Sequence, residues 1–412
     1  MLINSNIQNA EFWTMEQSPS RATSAAELVV PGAALPDERY SPSLDHDQKA
    51  DPAMAQKMNP HTKLALHQRL EVARHMLHAF SPFNGEKIRK ILDEDVDSPA
   101  GTPLSFHEFL QYAVTVDLID QPWERAFQVA DVARSLTNAG LLQKTAGLKM
   151  PPPFGDLYFA MHSGATKAQA SGFLWLSESL GPEFLIRSFA SSTIALVGED
   201  ENGDATTGSG ILIDDRHILT NRHVVTDMRI STQLWTPTSP PAHSPESKVE
   251  PIEITVTNTT PHEAPDGSDN HLDVALIEVT GLENRYEAGK GIAFRDPQWS
   301  DTAWTFGYPP VPMTREPAVI VHRGEVVNPQ VQGYFGNDLM LFSAVARPGN
   351  SGGPIVTQDG RIIGIVAEEL STKDTSHAPF YAGIPTHEIA RALTDMGHPN
   401  LLNIETWKSP RD

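Results

Sequence analysis

Apolar residues recur at helical spacing between His61 and about Lys144: Leu66, Leu70, Ala73 and Leu77, then Phe106, Phe109, Leu110, Ala113 and Val114, then Ala126, Val129, Ala130 and Ala133. A stripe returning every three or four residues sends one helix face into a core, so this stretch predicts a small all-α module. It is broken at Pro82, across Pro99–Pro103 and at Pro122. Pro151, Pro152 and Pro153 then punctuate the chain, and Asp156 to Leu180 reads as a helical connector stopped by Gly181-Pro182.

After Phe184 the period changes. Short β-branched runs follow one another, among them Thr193–Val197, Gly210–Ile213, Ile252–Val256, Val274–Val279 and Arg361–Val366. Such runs separated by turn residues predict an antiparallel all-β domain, closed by a helix over His387–Met396. Upstream, Ser18 to Pro60 is rich in Ser, Ala, Pro and acidic residues without periodicity. Such a segment buries too little surface to offset its ordering entropy, and a mobile tail or linker is expected. The resulting division is a disordered tail or linker over 1–60, a helical module over 61–148, a helical connector over 149–183, the β domain over 184–400 and a C-terminal tail over 401–412.

Composition narrows the chemistry. The 412 residues carry 31 Lys plus Arg against 52 Asp plus Glu, a formal charge of −21, and no cysteine. That length suits two or three domains. Zero cysteine excludes disulfide staples, thiolate nucleophiles and Cys-based zinc sites, and neither a metal nor a cofactor is expected. The charge repels phosphate backbones and no basic run offsets it, so nucleic acid is not expected as a partner. No apolar stretch is long enough to cross a bilayer, and Met1–Asn6 lacks a basic region followed by an apolar run; no membrane contact and a cytoplasmic location are expected.

Three short segments set one reactive side chain each among small or β-branched neighbours: Leu219-Thr220-Asn221-Arg222-His223-Val224-Val225, Asp273-Val274-Ala275-Leu276-Ile277, and Arg347-Pro348-Gly349-Asn350-Ser351-Gly352-Gly353-Pro354. A hydroxyl is almost fully protonated at neutral pH and needs a base to become a nucleophile, and an imidazole near pKa 6.5 is suited to that task. A carboxylate behind the imidazole fixes its tautomer and stabilises the imidazolium.

In the order His, Asp, Ser, these blocks resemble the signatures of the trypsin-like (chymotrypsin-fold) serine peptidases, in particular the bacterial branch of HtrA and V8-like enzymes. The resemblance spans about Ile186 to Leu393. It implies a double β-barrel, with His223 and Asp273 in the first barrel and Ser351 in the second. It implies a serine endopeptidase acting through an acyl-enzyme, with Ser351 as nucleophile, His223 as general base and acid, and Asp273 as its orienting carboxylate. The N–H groups of Gly349 and Ser351 would form the oxyanion hole. The substrate pocket would be based at Val345 and Ala346 and walled by Val366, Ala367, Glu368, Tyr381 and Ala382, with the substrate main chain pairing along Ile365–Ala367 as an added strand. An apolar base favours an aliphatic or modest aromatic P1 side chain, whereas Glu368 offers a carboxylate to Lys or Arg. Secreted trypsins carry Asp just before the nucleophile to pair with a new N-terminus; here that residue is Asn350, which implies control by another route. A helical module beside a protease, with no recognisable PDZ domain following, is similar to regulatory or defence proteases whose helical adaptors recruit a protein partner.

Competing assignments are blander. His217, His271, His322 and His387 are other histidines of the β domain, Asp269 is a neighbouring turn former, and Ser209 sits in a Gly-Ser-Gly read as a strand-entry turn. His67, Glu71, His75 and His78 share one helix face that suits solvent better than a metal. Asp93–Asp97 resembles half of an EF-hand loop but has Ser98 and Leu104 where Gly and Glu are required. A competing function is a catalytically silent protease-fold scaffold whose helical module binds partners.

Overall fold

A computed structural model describes residues 62–93, 102–145, 147, 150–161, 172–282, 290–314, 317–333, 336–370 and 380–405, the last three of the 336–370 stretch by backbone alone. The tail expected over 1–60, most of the acidic loop at Asp93–Asp97 and the end of the C-terminal tail lie outside these residues.

The helical stripes form α1 (Leu66–Ala79), α2 (Gly85–Ile91), α3 (Phe106–Thr115) and α4 (Ala126–Asn138). Ser105 opens α3 with a capping box: its Oγ accepts the Glu108 N–H at 3.1 Å, and the Glu108 carboxylate accepts the Ser105 N–H at 2.6 Å. That arrangement satisfies two of the donors a helix start leaves open. Arg89, nearly buried, holds the same carboxylate at 2.8 Å and ties α2 to α3.

The module also contains strands, which the periodicity did not suggest. Here β1 (Leu104–Ser105), β2 (Leu142–Thr145) and β3 (Leu157–Ala160) form a three-stranded antiparallel sheet in the order β1-β3-β2. The connector expected to be helical from Asp156 therefore begins as a strand. The apolar run Leu157-Tyr158-Phe159-Ala160 is too short for its period to separate strand from helix. Helix resumes as a 3-10 turn at Leu174–Leu176, α5 (Ser177–Leu180) and α6 (Pro182–Ala190).

The β region holds two antiparallel assemblies. The first comprises β4 (Thr193–Glu199), β5 (Ala205–Leu212), β6 (His217–Thr220), then α7 (Arg222–Asp227), β7 (Arg229–Ile230), β8 (Gln233–Trp235), β9 (Glu253–Pro261) and β10 (Ala275–Thr280). Its seven strands run β7-β4-β5-β6-β10-β9-β8. The end strands β7 and β8 are separated by only Ser231 and Thr232, so the sheet curls until its edges approach each other. The second is a closed six-stranded barrel, β11-β12-β13-β16-β15-β14, built from β11 (Thr302–Gly307), β12 (Ile320–Gln332), β13 (Asp338–Phe342), β14 (Pro354–Val356), β15 (Ile362–Leu370) and β16 (Phe380–Pro385). Helix α8 (Thr386–Asp395) follows.

One buried cluster runs from Leu66, Leu70 and Phe109 through Phe184 and Phe189 to Ile211, Phe306, Ile365 and Leu393. Phe189 of α6 meets Phe306 of β11 at a ring separation of 5.9 Å. The helices and the β region thus share a core, and removing either exposes apolar surface of the other.

Candidate active site

Strand β6 ends at Thr220, and the chain turns through Asn221 into α7, which presents His223 at its first turn. Asp273 lies just before β10, whose Ala275 pairs with Thr220. This register brings together two residues 50 positions apart. His223 Nδ1 faces Asp273 Oδ2 at 2.8 Å, and the His223 backbone N–H donates to Oδ1 at 2.9 Å. The carboxylate holds both the ring and the main chain of one residue, which fixes the ring's orientation. Asn221 adds a third tie, its Nδ2 donating to the Asp273 carbonyl at 2.8 Å. His223 and Asp273 are both half-buried.

The Ser351 turn sits between β13 and β14. Gly349 and Gly352 have φ of +95° and +81°, a left-handed region that side chains disfavour. A Cβ on Gly352 would lie 2.2 Å from Thr220 Oγ1, 2.3 Å from the Ser209 carbonyl oxygen and 3.0 Å from Asn221 N. The turn is therefore pressed against the residues that lead into His223. Among the described residues, neither the Gly349 N–H nor the Ser351 N–H donates to a protein acceptor. Two unengaged donors in one turn are what an incoming oxyanion requires. Ser351 Oγ donates to the Ala367 carbonyl at 3.2 Å.

Ser209 holds this turn in place. It lies inside β5, fully buried, rather than in a strand-entry turn. Its Oγ donates to the Gly349 carbonyl at 2.6 Å and accepts the Tyr308 N–H at 2.8 Å, while its own N–H donates to the Ser351 carbonyl at 2.9 Å. Burial pushes the Tyr308 phenol above its usual range, leaving a neutral hydroxyl that donates to the Thr193 carbonyl at 3.1 Å. Asn350 is fully buried against Gly307, and among the described residues neither amide atom has a hydrogen-bond partner.

The pocket residues divide by strand alternation. Ala346, Val366 and Phe342 share one buried cluster with Tyr381 packed against it, and Tyr381 stacks on Phe342 at 6.2 Å. Val345 is partly exposed, and Ala382 is buried. Ile365 and Ala367 face the opposite cluster. Their strand is less open than expected. Ile365 pairs with Pro354, and Val366 exchanges hydrogen bonds with Gly352 and Gly353 at 2.9 and 2.8 Å. A bulge between Val366 and Glu368 then frees Ala367 and turns its carbonyl to Ser351. The Glu368 side chain lies outside the described residues.

The competing residues have other partners. His217 faces Asp214 at 2.8 Å, His271 Nδ1 accepts the Ala264 N–H at 3.0 Å, and Asp269 is exposed. Burial, reinforced by the charge of Arg347, lowers the His322 pKa. On α1, His75 turns to the Tyr112 hydroxyl at 3.1 Å and Glu71 pairs with Arg74 at 2.8 Å. Among the described residues, three potential metal donors converge at Asp338, His387 and Glu388. They are already engaged: His387 with Asp338 at 3.2 Å, and Glu388 with the Asp338 N–H at 2.7 Å and Arg391 at 2.6 Å.

Residues 208–365 match the family model described as Trypsin-like peptidase domain. This part of the chain is a trypsin-like peptidase domain, preceded by the helices α1–α4. No match is found among curated proteins. Similar solved structures include the inactive form of the Rv3671c protease, 18% identical over 52% of this chain and 92% of that one, with a TM-score of 0.36. The serine endoprotease from Yersinia pestis is 21% identical over 53% of this chain and 66% of that one, with a TM-score of 0.36. The HtrA-type protease AlgW with tripeptide is 17% identical over 52% and 64%, with a TM-score of 0.37. The chain thus spans just under two thirds of the last two. Likenesses this distant bear on neither activity nor substrate. No described helix is long and apolar enough to cross a membrane.

Proposed function

We propose that the protein is a serine endopeptidase. Ser351 attacks the scissile carbonyl, His223 takes its proton and passes it to the leaving amine, and Asp273 orients the ring and stabilises the imidazolium. The developing oxyanion is received by the N–H groups of Gly349 and Ser351. Water then releases the acyl group from Ser351 by the same route in reverse. The observation that carries this reading is the double hold of Asp273 on His223, at 2.8 and 2.9 Å, beside a turn whose Gly349 and Ser351 N–H groups meet no acceptor among the described residues.

The P1 side chain enters the apolar space near Ala346, Val366 and Tyr381, with Val345 at its mouth, and Ala367 receives the substrate main chain. As the P1 N–H takes the Ala367 carbonyl, the Ser351 hydroxyl is displaced from it toward His223.

The domain limits at 61–148, 149–183 and 184–400, the cytoplasmic site of action and the recruitment of a protein partner by the helical module belong to the same proposal. Because the module shares its core with the β region, its influence is tested by substitution and not by deletion. Arg69→Ala removes bonds from α1 to the Leu180 carbonyl and to Glu183. Altered peptidase activity in that variant supports control by the module. Fractionation of cells producing the full chain tests the compartment. The peptidase reading itself is tested by peptide hydrolysis with the wild type and with Ser351→Ala: loss of turnover in a folded variant supports it, and equal turnover refutes it.

A further inference from the structure

We infer that His262 is a positioning residue for the Asp273 carboxylate and links it to the C-terminal helix α8; the inference rests on the peptidase reading above. His262 follows β9 and its side chain is only 2% exposed. Its backbone N–H donates to the Val274 carbonyl at 2.9 Å, and its ring Nδ1 accepts the Leu272 N–H at 2.9 Å. The two residues flanking Asp273 are thus both held by a single side chain and its own backbone. An imidazole that accepts at Nδ1 carries its hydrogen on Nε2. That N–H faces Asp395 Oδ2, at the last residue of α8, at 3.2 Å.

A third contact reaches the other half of the pair. The His262 carbonyl accepts Arg222 Nε at 3.0 Å, and Arg222 precedes His223 on α7. One residue therefore anchors the neighbours of both groups that meet in the 2.8 Å Asp273–His223 bond. The need for a histidine follows from the chemistry. The Leu272 N–H is buried and requires an acceptor, and the ring supplies one while its far nitrogen grips α8. An apolar side chain leaves that N–H unsatisfied, and the segment carrying Asp273 relaxes to find another partner. A carboxylate displaced by a fraction of an ångström no longer aligns the base for proton transfer.

Three variants of the full chain test this. His262→Leu removes both ring contacts. His262→Asn keeps an acceptor near the position of Nδ1 but does not reach Asp395. Asp395→Ala removes only the acceptor on α8, at a partly exposed position that tolerates change. Two quantities are read: kcat per titrated active site on a peptide substrate, and the low-field NMR resonance of the His223 Nδ1–H shared with Asp273.

His262→Leu is expected to lose about tenfold or more in kcat, the size of one buried hydrogen bond left unmade, with KM little changed and the resonance shifted or broadened. His262→Asn recovers most of both, and Asp395→Ala shows a smaller loss with a shift in the same resonance. A merely structural role lowers the fraction of active sites and leaves kcat per site and the resonance at wild-type values. That outcome in His262→Leu overturns the inference, and so do wild-type values in Asp395→Ala if His262→Leu fails to fold. If the wild type hydrolyses no peptide, the peptidase reading fails separately, and the resonance still reports whether His262 sets the geometry of His223 and Asp273.

Discussion

Ser209 and Gly349 lie 140 residues apart in sequence, and the Ser209 hydroxyl donates to the Gly349 carbonyl at 2.6 Å. This bond fixes the peptide on one side of Gly349, while among the described residues the Gly349 N–H donates to no protein acceptor. The hydroxyl is fully buried and also accepts the Tyr308 N–H at 2.8 Å. Ser209→Ala strips both groups of their partner. Since losing an oxyanion donor outright costs roughly 2.7–4 kcal/mol of barrier, misaligning one is expected to lower kcat by about 10- to 100-fold. Initial rates at titrated enzyme check this, and wild-type kcat contradicts it.

Gly352 separates two costs of adding a methyl group. Gly352→Ala places a Cβ 2.2 Å from Thr220 Oγ1 at a φ of +81°. At Gly336 φ is also +81°, but nothing lies within 4 Å of the added atom. Gly336→Ala therefore bears only the backbone strain, about 1–2 kcal/mol, and Gly352→Ala bears that plus the overlap. Thermal melts should show a several-fold larger loss at Gly352; equal losses would remove the argument that this turn is pressed onto the His223 segment.

His387 reads pH through its neighbours. The hydrogen bond that its ring donates to Asp296 raises its pKa against the opposing effect of burial, with Asp338 and Glu388 adding to the rise. The same bond, in turn, depresses the Asp296 pKa. A raised histidine stabilises the fold fully below its unfolded pKa near 6.5 and loses that contribution as pH climbs through the folded value. A depressed aspartate contributes above its unfolded value near 3.9 and loses the contribution as pH falls. The pair is strongest between these limits. Both side chains are partly exposed, so the contribution is small. His387→Gln should lower Tm by about 1–3 °C at pH 5.5 and by less at pH 8.5; an equal or larger loss at pH 8.5 contradicts the assignment.

Val345, proposed above to border the P1 site, is 37% exposed, so a charge is tolerated there. Val345→Asp is expected to shift P1 preference from apolar residues toward Lys and Arg through a charge-assisted hydrogen bond. Cleavage of a peptide library by the two proteins reads the shift. An unchanged P1 profile places the pocket elsewhere.

The candidate site was legible in the sequence where its segments are local. Leu219–Val225 and Arg347–Pro354 each carry a strand end, a turn and a reactive side chain within a few residues, so their contexts read directly. Ser209 and His262 were not legible, because their contacts are with residues far away in sequence: Gly349, and Asp395 at a separation of 133. No local pattern distinguishes Ser209 from an ordinary turn former. The sheet β1-β3-β2 was hidden for a related reason. Its strands are two to four residues long, and Leu157–Ala160 is as apolar as a buried helical turn. The Ala367 carbonyl meets Ser351 beside a bulge that β-branched patterning does not encode.

The most direct measurement is covalent labelling of the full-length protein by a fluorophosphonate, followed by mass spectrometry of the modified peptide. The account predicts one adduct per chain, on Ser351, absent from Ser351→Ala and strongly slowed in His223→Ala. Labelling elsewhere, or none in a folded protein that also leaves peptides intact, would contradict it.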